Sequence, residues 1–363
     1  MKLVKQLLFV PFFISPILLT SCNSNIMTSA QFVLHRGLSS RHFENTAESF
    51  ESAGKSSAFG IETDIYLTKN DTNGNHPLVC VHDVNPFRVE SNKTRDAGYL
   101  LLGGGVSSLG YPNPNPNEYD PLWDPSTGTQ ITKLTLSEIQ QKYLWTGCCG
   151  KNNDPSKGAI GEMIVFDDTK NNYGIGGDYK IPTFKEYLSI CKKYNKEAFI
   201  EIKDENFFWG DNYAHTLVME LIKEINEIDY VNKCTIIAFD GGVFDTSMVT
   251  GKEQPFYNEL NNAVTNADQH IAETASKLIK KFQKIIWADY KNQNPIQNAY
   301  YAIANNQNID IDNKYLIEGK NSDLIKYAHS KHLLVNTWTV NNTTDLNKLL
   351  QFGVDQITGN VIF

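Results

Sequence analysis

The chain has 363 residues, with 41 acidic against 33 basic side chains and a formal charge of −8. That balance argues against a nucleic-acid partner, whose phosphates call for a basic face. Its six cysteines show no C-x-x-C spacing, which argues against both a zinc site and a disulfide framework.

The first residues read as a leader. Lys2 and Lys5 precede "LLFVPFFISPILLTSC", an apolar run broken by Pro11 and Pro16 and too short to span a bilayer. A positive start, a short apolar middle and a small-residue end describe a secretory signal over 1–21. The "LTSC" ending resembles a bacterial lipobox, which implies cleavage before Cys22 and attachment of a lipid to its sulfur. Residues 22–30 then form a polar tether. The mature chain is expected on the outer face of the bacterial cell membrane, held there by the lipid.

Further along, short apolar runs rich in Ile, Val and aromatics recur at 32–37, 59–67, 78–83, 198–203, 235–240, 285–290, 333–340 and 354–359. Most stay apolar instead of alternating, as strands covered on both faces do. Helical patterns at 45–55, 182–194, 214–228, 271–282, 322–331 and 343–353 separate most of them. Asn45 and Glu48 stand at capping-box spacing at the head of the first helix. Pro182 reads as the first turn of the second. Cys80, Cys191 and Cys234 sit within apolar stretches and read as core.

Eight strands alternating with helices predict an α/β fold, a (β/α)8 TIM barrel spanning 31–363. Two links strain the pattern. Residues 68–77 are too short and polar for a crossover helix. Residues 84–180 are far too long for an ordinary connection and read as an insertion after the third strand, overhanging one end of the barrel.

Barrel active sites form where the strands end. Those ends carry His35 and Arg36, then Glu62 and Asp64, His82 and Asp83, Glu201 and Lys203, with Asp240, Asp289 and Trp338 later. Glu62 and Asp64 are two apart in one strand and so share a face. Two carboxylates there repel unless a cation lies between them, and a hard ion such as Ca²⁺ or Mg²⁺ prefers oxygen ligands. Glu201 supplies a third oxygen. One such acid alone would ordinarily be a solvated rim charge. Three in otherwise apolar strands, beside two histidines suited to proton transfer at neutral pH, point instead to a metal-assisted acid–base centre. Arg36, one of only four arginines in the chain, and Lys203 suit a phosphate.

The order and spacing of "HRG", "ENTAESFESA", "GIETDIYLTKND", "LVCVHD", "ITKLTLSEIQ", "IPTFKEYLSI", "EAFIEIK" and "VNTWTVNNTTDLNKLLQFGVDQITG" resemble the glycerophosphodiester phosphodiesterase family over about 31–359. The resemblance implies hydrolysis of a small glycerophosphodiester, such as glycerophosphocholine, to sn-glycerol 3-phosphate and an alcohol. By it, His35 and His82 are the acid–base pair. Glu62, Asp64 and Glu201 hold one divalent cation, Ca²⁺ or Mg²⁺. Arg36 and Lys203 contact the phosphate, Glu44 is a polar neighbour in the pocket, and Trp338 walls its alcohol side. Asn45 is at least as well read as a helix cap. The chain departs from the family after "VHD" and at its closing strand, where Gly359 and Asn360 leave the rim without its usual charge. Two alternatives stay open at this point. One is a related barrel phospholipase acting on intact lipids, of the sphingomyelinase D or phosphatidylinositol-cleaving kind. The other is a surface lipoprotein that binds a ligand without catalysis.

Overall fold

The computed structural model describes residues 30–42, 44–82, 131–142, 144–145, 164–167, 172–175, 179–203, 212–239, 255–286, 294–319 and 321–363. Cys22, the expected lipid attachment point, the expected leader at 1–21, Asp83, Asp240, Asp289, Cys148 and Cys149 lie outside these residues, as does most of 84–180. No helix among the described residues is long and apolar enough to cross a membrane.

The chain begins with β1 (Gln31–Leu34), α1 (Ala47–Lys55), β2 (Gly60–Leu67) and β3 (Leu78–Cys80). A single turn at Ile131–Lys133, α2 (Leu136–Lys142) and the short strands β4 (Leu144–Trp145), β5 (Ile164–Asp167), β6 (Asn172–Ile175) and β7 (Tyr179–Lys180) follow. Then come α3 (Phe184–Lys193), β8 (Glu197–Ile202), α4 (Tyr213–Ile228), β9 (Cys234–Ala238), α5 (Pro255–Asn266), α6 (Gln269–Lys280) and β10 (Gln283–Ile286). The chain ends with α7 (Pro295–Ala304), β11 (Asn308–Asp312), α8 (Asn313–Ile317), α9 (Ser322–Ser330), β12 (Val335–Trp338), α10 (Thr343–Phe352) and β13 (Gln356–Gly359).

Parallel pairing runs β1–β2–β8–β9–β10–β11–β12–β13 and closes from β13 back to β1, giving the predicted eight-stranded barrel with helices outside. One stave differs from the sequence reading. The run at 78–83 is no barrel strand: β3 turns back antiparallel on β2, Leu67 facing Leu78 and Ile65 facing Cys80. The polar 68–77 link is therefore a hairpin loop, and a hairpin needs no crossover helix. The eighth stave is β11, "NIDID", parallel to both β10 and β12. Its acids and amides alternate with isoleucines, which leaves it no apolar run to mark a strand. Helices α2, α5, α7 and α8 likewise lie outside the helical patterns expected from the sequence.

Alternation sorts each stave into two faces. Ile61, Ile65, Ala198, Ile200 and Ile236 pack outward against Phe50, Phe184, Tyr187 and Leu221 of the helices. Ile309, Ile311, Val335 and Ile357 do the same against α7, α9 and α10. Inside the barrel, Val33, Phe199, Ile237 and Ile285 form a smaller apolar plug, capped by Phe239 and Trp338. Cys80, Cys191 and Cys234 are buried free thiols, as their surroundings in the sequence implied.

Caps fix where helices begin, and two differ from expectation. Thr46, not Asn45, caps α1 by accepting from Ser49 N. In α3 the capping box is Thr183 with Glu186, which leaves Pro182 outside the helix. The Pro182 carbonyl instead accepts from Cys80 N at 3.0 Å, so the β3 edge is tied to the start of α3. Both outcomes place polar residues where the site needs them.

Candidate active site

The loop after β1 sets the first two groups. Arg36 and Gly37 both adopt left-handed backbone, φ 55° and 80°. A Cβ on Gly37 would lie 2.2 Å from Ser49 Oγ, so only glycine lets the loop pass this close to α1. Ser49 Oγ donates to Arg36 O at 2.9 Å, and Asn45 N donates to the same carbonyl at 3.0 Å. The turn thereby points His35 and Arg36 across the barrel mouth toward β2.

There the predicted acids converge. Ligand oxygens of Glu62, Asp64 and Glu201 lie within 4.8 Å of one another, and all three residues are buried. Glu62 and Asp64 share the inner face of β2, and Glu201 stands opposite Asp64 in the β2–β8 register. Arg36 N donates to Glu62 Oε2 at 2.8 Å. Asn45 Nδ2 donates to Asp64 Oδ2 at 2.7 Å while its own oxygen accepts from Thr63 Oγ1 at 2.8 Å. Asn45 is thus a support of the acidic cluster, not a helix cap.

Lys203 Nζ pairs with Asp64 Oδ1 at 2.7 Å and also with Glu201 Oε1. Arg36 Nε lies 3.2 Å from Asp64 Oδ2, and its Nη1 donates to both oxygens of Glu44, at 3.0 and 2.9 Å. Glu44 therefore grips the arginine instead of lining the pocket on its own. Four carboxyl groups (Glu44, Glu62, Asp64 and Glu201) meet two cationic side chains here.

That imbalance shows in the proton affinities. Burial, and then the charges of Asp64 and Glu201, push the Glu62 carboxyl well above the usual carboxylate range. Burial lifts Glu201 to about 7 in spite of Lys203. On Asp64 burial also works upward, but Lys203 and Arg36 overcome it and hold the group far below its ordinary value. One divalent cation would balance the four carboxylates against the two cations, and the Glu62 Oε1 atom, buried and without a hydrogen bond, is left open for such an ion. The residues fit an oxygen-bound cation, held by Glu62, Asp64 and Glu201.

The two histidines flank this cluster. His35 Nε2 is 3.9 Å from Glu62 Oε2, and its Nδ1 donates to Asn360 Oδ1 at 2.8 Å. Burial, followed by the Arg36 charge, lowers His35 to about 3. Its imidazole is neutral at physiological pH, with the Nε2 lone pair facing the acids. His82 follows β3; Val81 N donates to Asp64 O at 3.1 Å, and Tyr66 Oη donates to His82 O at 3.3 Å. Its charge acts on both His35 and Asp64. Trp338, at the end of β12, packs edge-on to Phe239 with ring centres 6.3 Å apart, at the rim of the inner apolar plug.

All the predicted strand-end residues except those outside the described segments gather at one mouth of the barrel. The sequence reading missed what Asn360 does. It was singled out for lacking a charge, yet its side chain is the acceptor that orients His35. No local pattern signals a contact across 325 positions.

The model of the Glycerophosphoryl diester phosphodiesterase family matches residues 35–362. No curated protein matches the chain. Among solved structures, a Silicibacter pomeroyi protein assigned as a glycerophosphoryl diester phosphodiesterase is 17% identical, with TM-score 0.56 over 91% of this chain and 90% of its own. A glycerophosphodiester phosphodiesterase from Parabacteroides distasonis is 15% identical, with TM-score 0.51 over 91% and 92%. One from Thermotoga maritima is 16% identical, with TM-score 0.50 over 91% and 94%. At these identities the structures speak for the barrel, and the family match for the chemistry the barrel carries. The chain belongs to the glycerophosphoryl diester phosphodiesterase family, and with it to the phosphoric diester hydrolases.

Proposed function

We propose that the protein uses one divalent cation, Ca²⁺ or Mg²⁺, and the pair His35 and His82 to hydrolyse small glycerophosphodiesters to sn-glycerol 3-phosphate and an alcohol. The observation that carries this reading is the meeting of three buried carboxylates with oxygens within 4.8 Å, beside a neutral histidine 3.9 Å from Glu62. The cation, when bound, supplies stabilisation of negative charge on the phosphoryl oxygens.

The chain's own groups divide the remaining work. Arg36 and Lys203 bring positive charge to the phosphate, each already fixed by carboxylates that limit its motion. His35 is the base: its Nδ1 hydrogen is committed to Asn360, so Nε2 is the atom that takes a proton from the attacking oxygen. His82, whose charge acts on both His35 and Asp64, then protonates the departing alcohol. In the cell the enzyme acts from the outer face of the membrane, anchored by lipid on Cys22.

The test is release of glycerol phosphate from glycerophosphocholine by the purified protein. Activity lost to a chelator and restored by Ca²⁺ or Mg²⁺ supports the reading; absence of release under both metals ends it. For the anchor, Cys22→Ala should move the protein from the membrane fraction to the soluble one, and unchanged fractionation removes that part.

A further inference from the structure

Asp310 is the one inward acid of the described barrel strands that the catalytic cluster does not use and that has no cationic partner. It lies at the middle of β11, between Ile309 and Ile311, whose side chains pack outward against the helices. Alternation therefore turns Asp310 into the barrel, level with Ile285 on β10 and Asn336 on β12. It is 2% exposed, and its Oδ1 is buried with no hydrogen bond. The contrast with Glu197, an inward acid on β8, is informative. Glu197 accepts from Thr235 Oγ1 at 3.0 Å and pairs with Lys281 Nζ at 2.5 Å.

A second orphan lies on the next strand, one inward step further toward the barrel mouth. Trp338 faces the same interior from the neighbouring strand, its backbone paired with Asp312, and its buried indole Nε1 has no acceptor. Leaving a buried carboxyl and a buried N–H unpaired is unfavourable for each, and native interiors keep few such groups. Around Asp310 the interior is mixed: Ile285 is apolar and level with it, Ile237 and Phe239 belong to the same apolar plug, and the Asn336 amide donates to Thr358 Oγ1 at 3.2 Å. Burial, and then the nearby charge of Glu201, raise the Asp310 carboxyl well above the ordinary range. The place therefore adjoins the acidic cluster and presents a buried carboxyl, an N–H donor, and apolar surface.

We propose that Asp310 and Trp338 form a hydroxyl-reading subsite that holds the glycerol moiety of the substrate, with Asp310 as the residue that selects for it. Vicinal hydroxyls on a short carbon chain match this set: each hydroxyl both donates and accepts, and the methylenes lie against the isoleucines. This assignment rests on the glycerophosphodiesterase reading given above.

The test compares the cation-loaded wild type with Asp310→Leu and Asp310→Asn. Calorimetric binding of sn-glycerol 3-phosphate should weaken at least roughly tenfold in Asp310→Leu, while methyl phosphate, which lacks the hydroxyls, changes less than about twofold. Asp310→Asn, which keeps an acceptor and a donor, should lose less. The kcat/KM for glycerophosphocholine and glycerophosphoglycerol should fall together, because the glycerol they share is what is read. Asp310→Leu should also melt higher than wild type, since it removes an unpaired buried acid. Equal weakening toward both phosphates, or no weakening toward either, overturns the subsite. So does a loss confined to the choline diester, which would make this a head-group site. Failure of the underlying reading is distinguishable, because it shows as absence of glycerol phosphate release by the wild type before any variant is made.

Discussion

Asn360 accepts the Nδ1 hydrogen of His35 at 2.8 Å and so decides which nitrogen of that ring faces the acidic cluster. Ser39 Oγ donates to the same amide oxygen at 3.1 Å, and Asn341 Oδ1 accepts from Asn360 N at 3.0 Å, so the acceptor is itself held. Replacement by leucine frees the ring to change tautomer and rotate. Asn360→Leu should lower kcat at least roughly tenfold with little change in KM. Asn360→Asp keeps the acceptor but adds negative charge, which stabilises the imidazolium. Its acid limb in the pH–rate profile should therefore move to higher pH. An unchanged kcat and profile in both variants would show that Asn360 does not position His35.

Loss of either imidazole should be more severe. His35→Ala and His82→Ala should each reduce turnover at least about a hundredfold, the lower end of what general acid–base groups contribute. Single-turnover measurement under saturating substrate separates this from weaker binding. Near-normal turnover in either variant would remove that histidine from the chemistry.

The acidic cluster ties metal affinity to pH. Folding raises the Glu201 carboxyl from 4.5 to about 7. The folded protein therefore binds more protons than the unfolded chain between those values, and its cation-free stability falls as pH rises through that window. A divalent cation takes the place of those protons. The rise in Tm on adding Ca²⁺ or Mg²⁺ should thus be larger at pH 8 than at pH 5, and Glu201→Gln should remove most of it. A rise that is independent of pH would contradict this account.

A second buried acid lies far from that centre. Glu224, on α4, accepts from Leu78 N at 3.0 Å and so clips the β3 edge that leads to His82. Burial, opposed by Lys185 and helped by Glu220 and Glu227, raises it from 4.5 to about 7. The sign is the same as for Glu201: stability is lost as pH rises from about 4.5 to 7. At about 1.36 kcal/mol per unit, the wild type should lose roughly 2–3 kcal/mol more than Glu224→Gln between pH 5 and pH 8. Urea unfolding at the two pH values measures the difference, and parallel losses would place the Glu224 carboxyl in a more solvated setting than its burial implies.

Most of the barrel and its clustered acids were legible because each rests on a local pattern. Glu62 and Asp64 share a face by spacing alone, and the apolar runs around His35 and Glu201 mark buried staves. Strand β11 was not legible, for a physical reason. Its inward side chains are Asn308, Asp310 and Asp312, so no two apolar residues are adjacent and no apolar run marks it as a strand. The run "LVC" misled in the opposite way: β3 is fully buried, yet it pairs antiparallel with β2 outside the barrel. Burial was readable there, whereas strand direction depends on the length of the preceding turn. Asn45 and Asn360 illustrate the remaining limit, since the partner that gives each its role is fixed only by closure of the barrel.

Arg36 reaches the site already bound, its Nη1 shared between both oxygens of Glu44 and its Nε 3.2 Å from Asp64. A planar guanidinium can keep such a grip and still present further N–H groups to a phosphate; an ammonium cannot. Arg36→Lys should therefore behave as a loss of phosphate binding, raising KM about tenfold or more. Glu44→Gln leaves the arginine in place but loosens its orientation, and should raise KM by a smaller factor. The double variant should be no worse than Arg36→Lys alone, because Glu44 acts through the group that has gone. Fully additive effects would instead mean that Glu44 meets the substrate by itself.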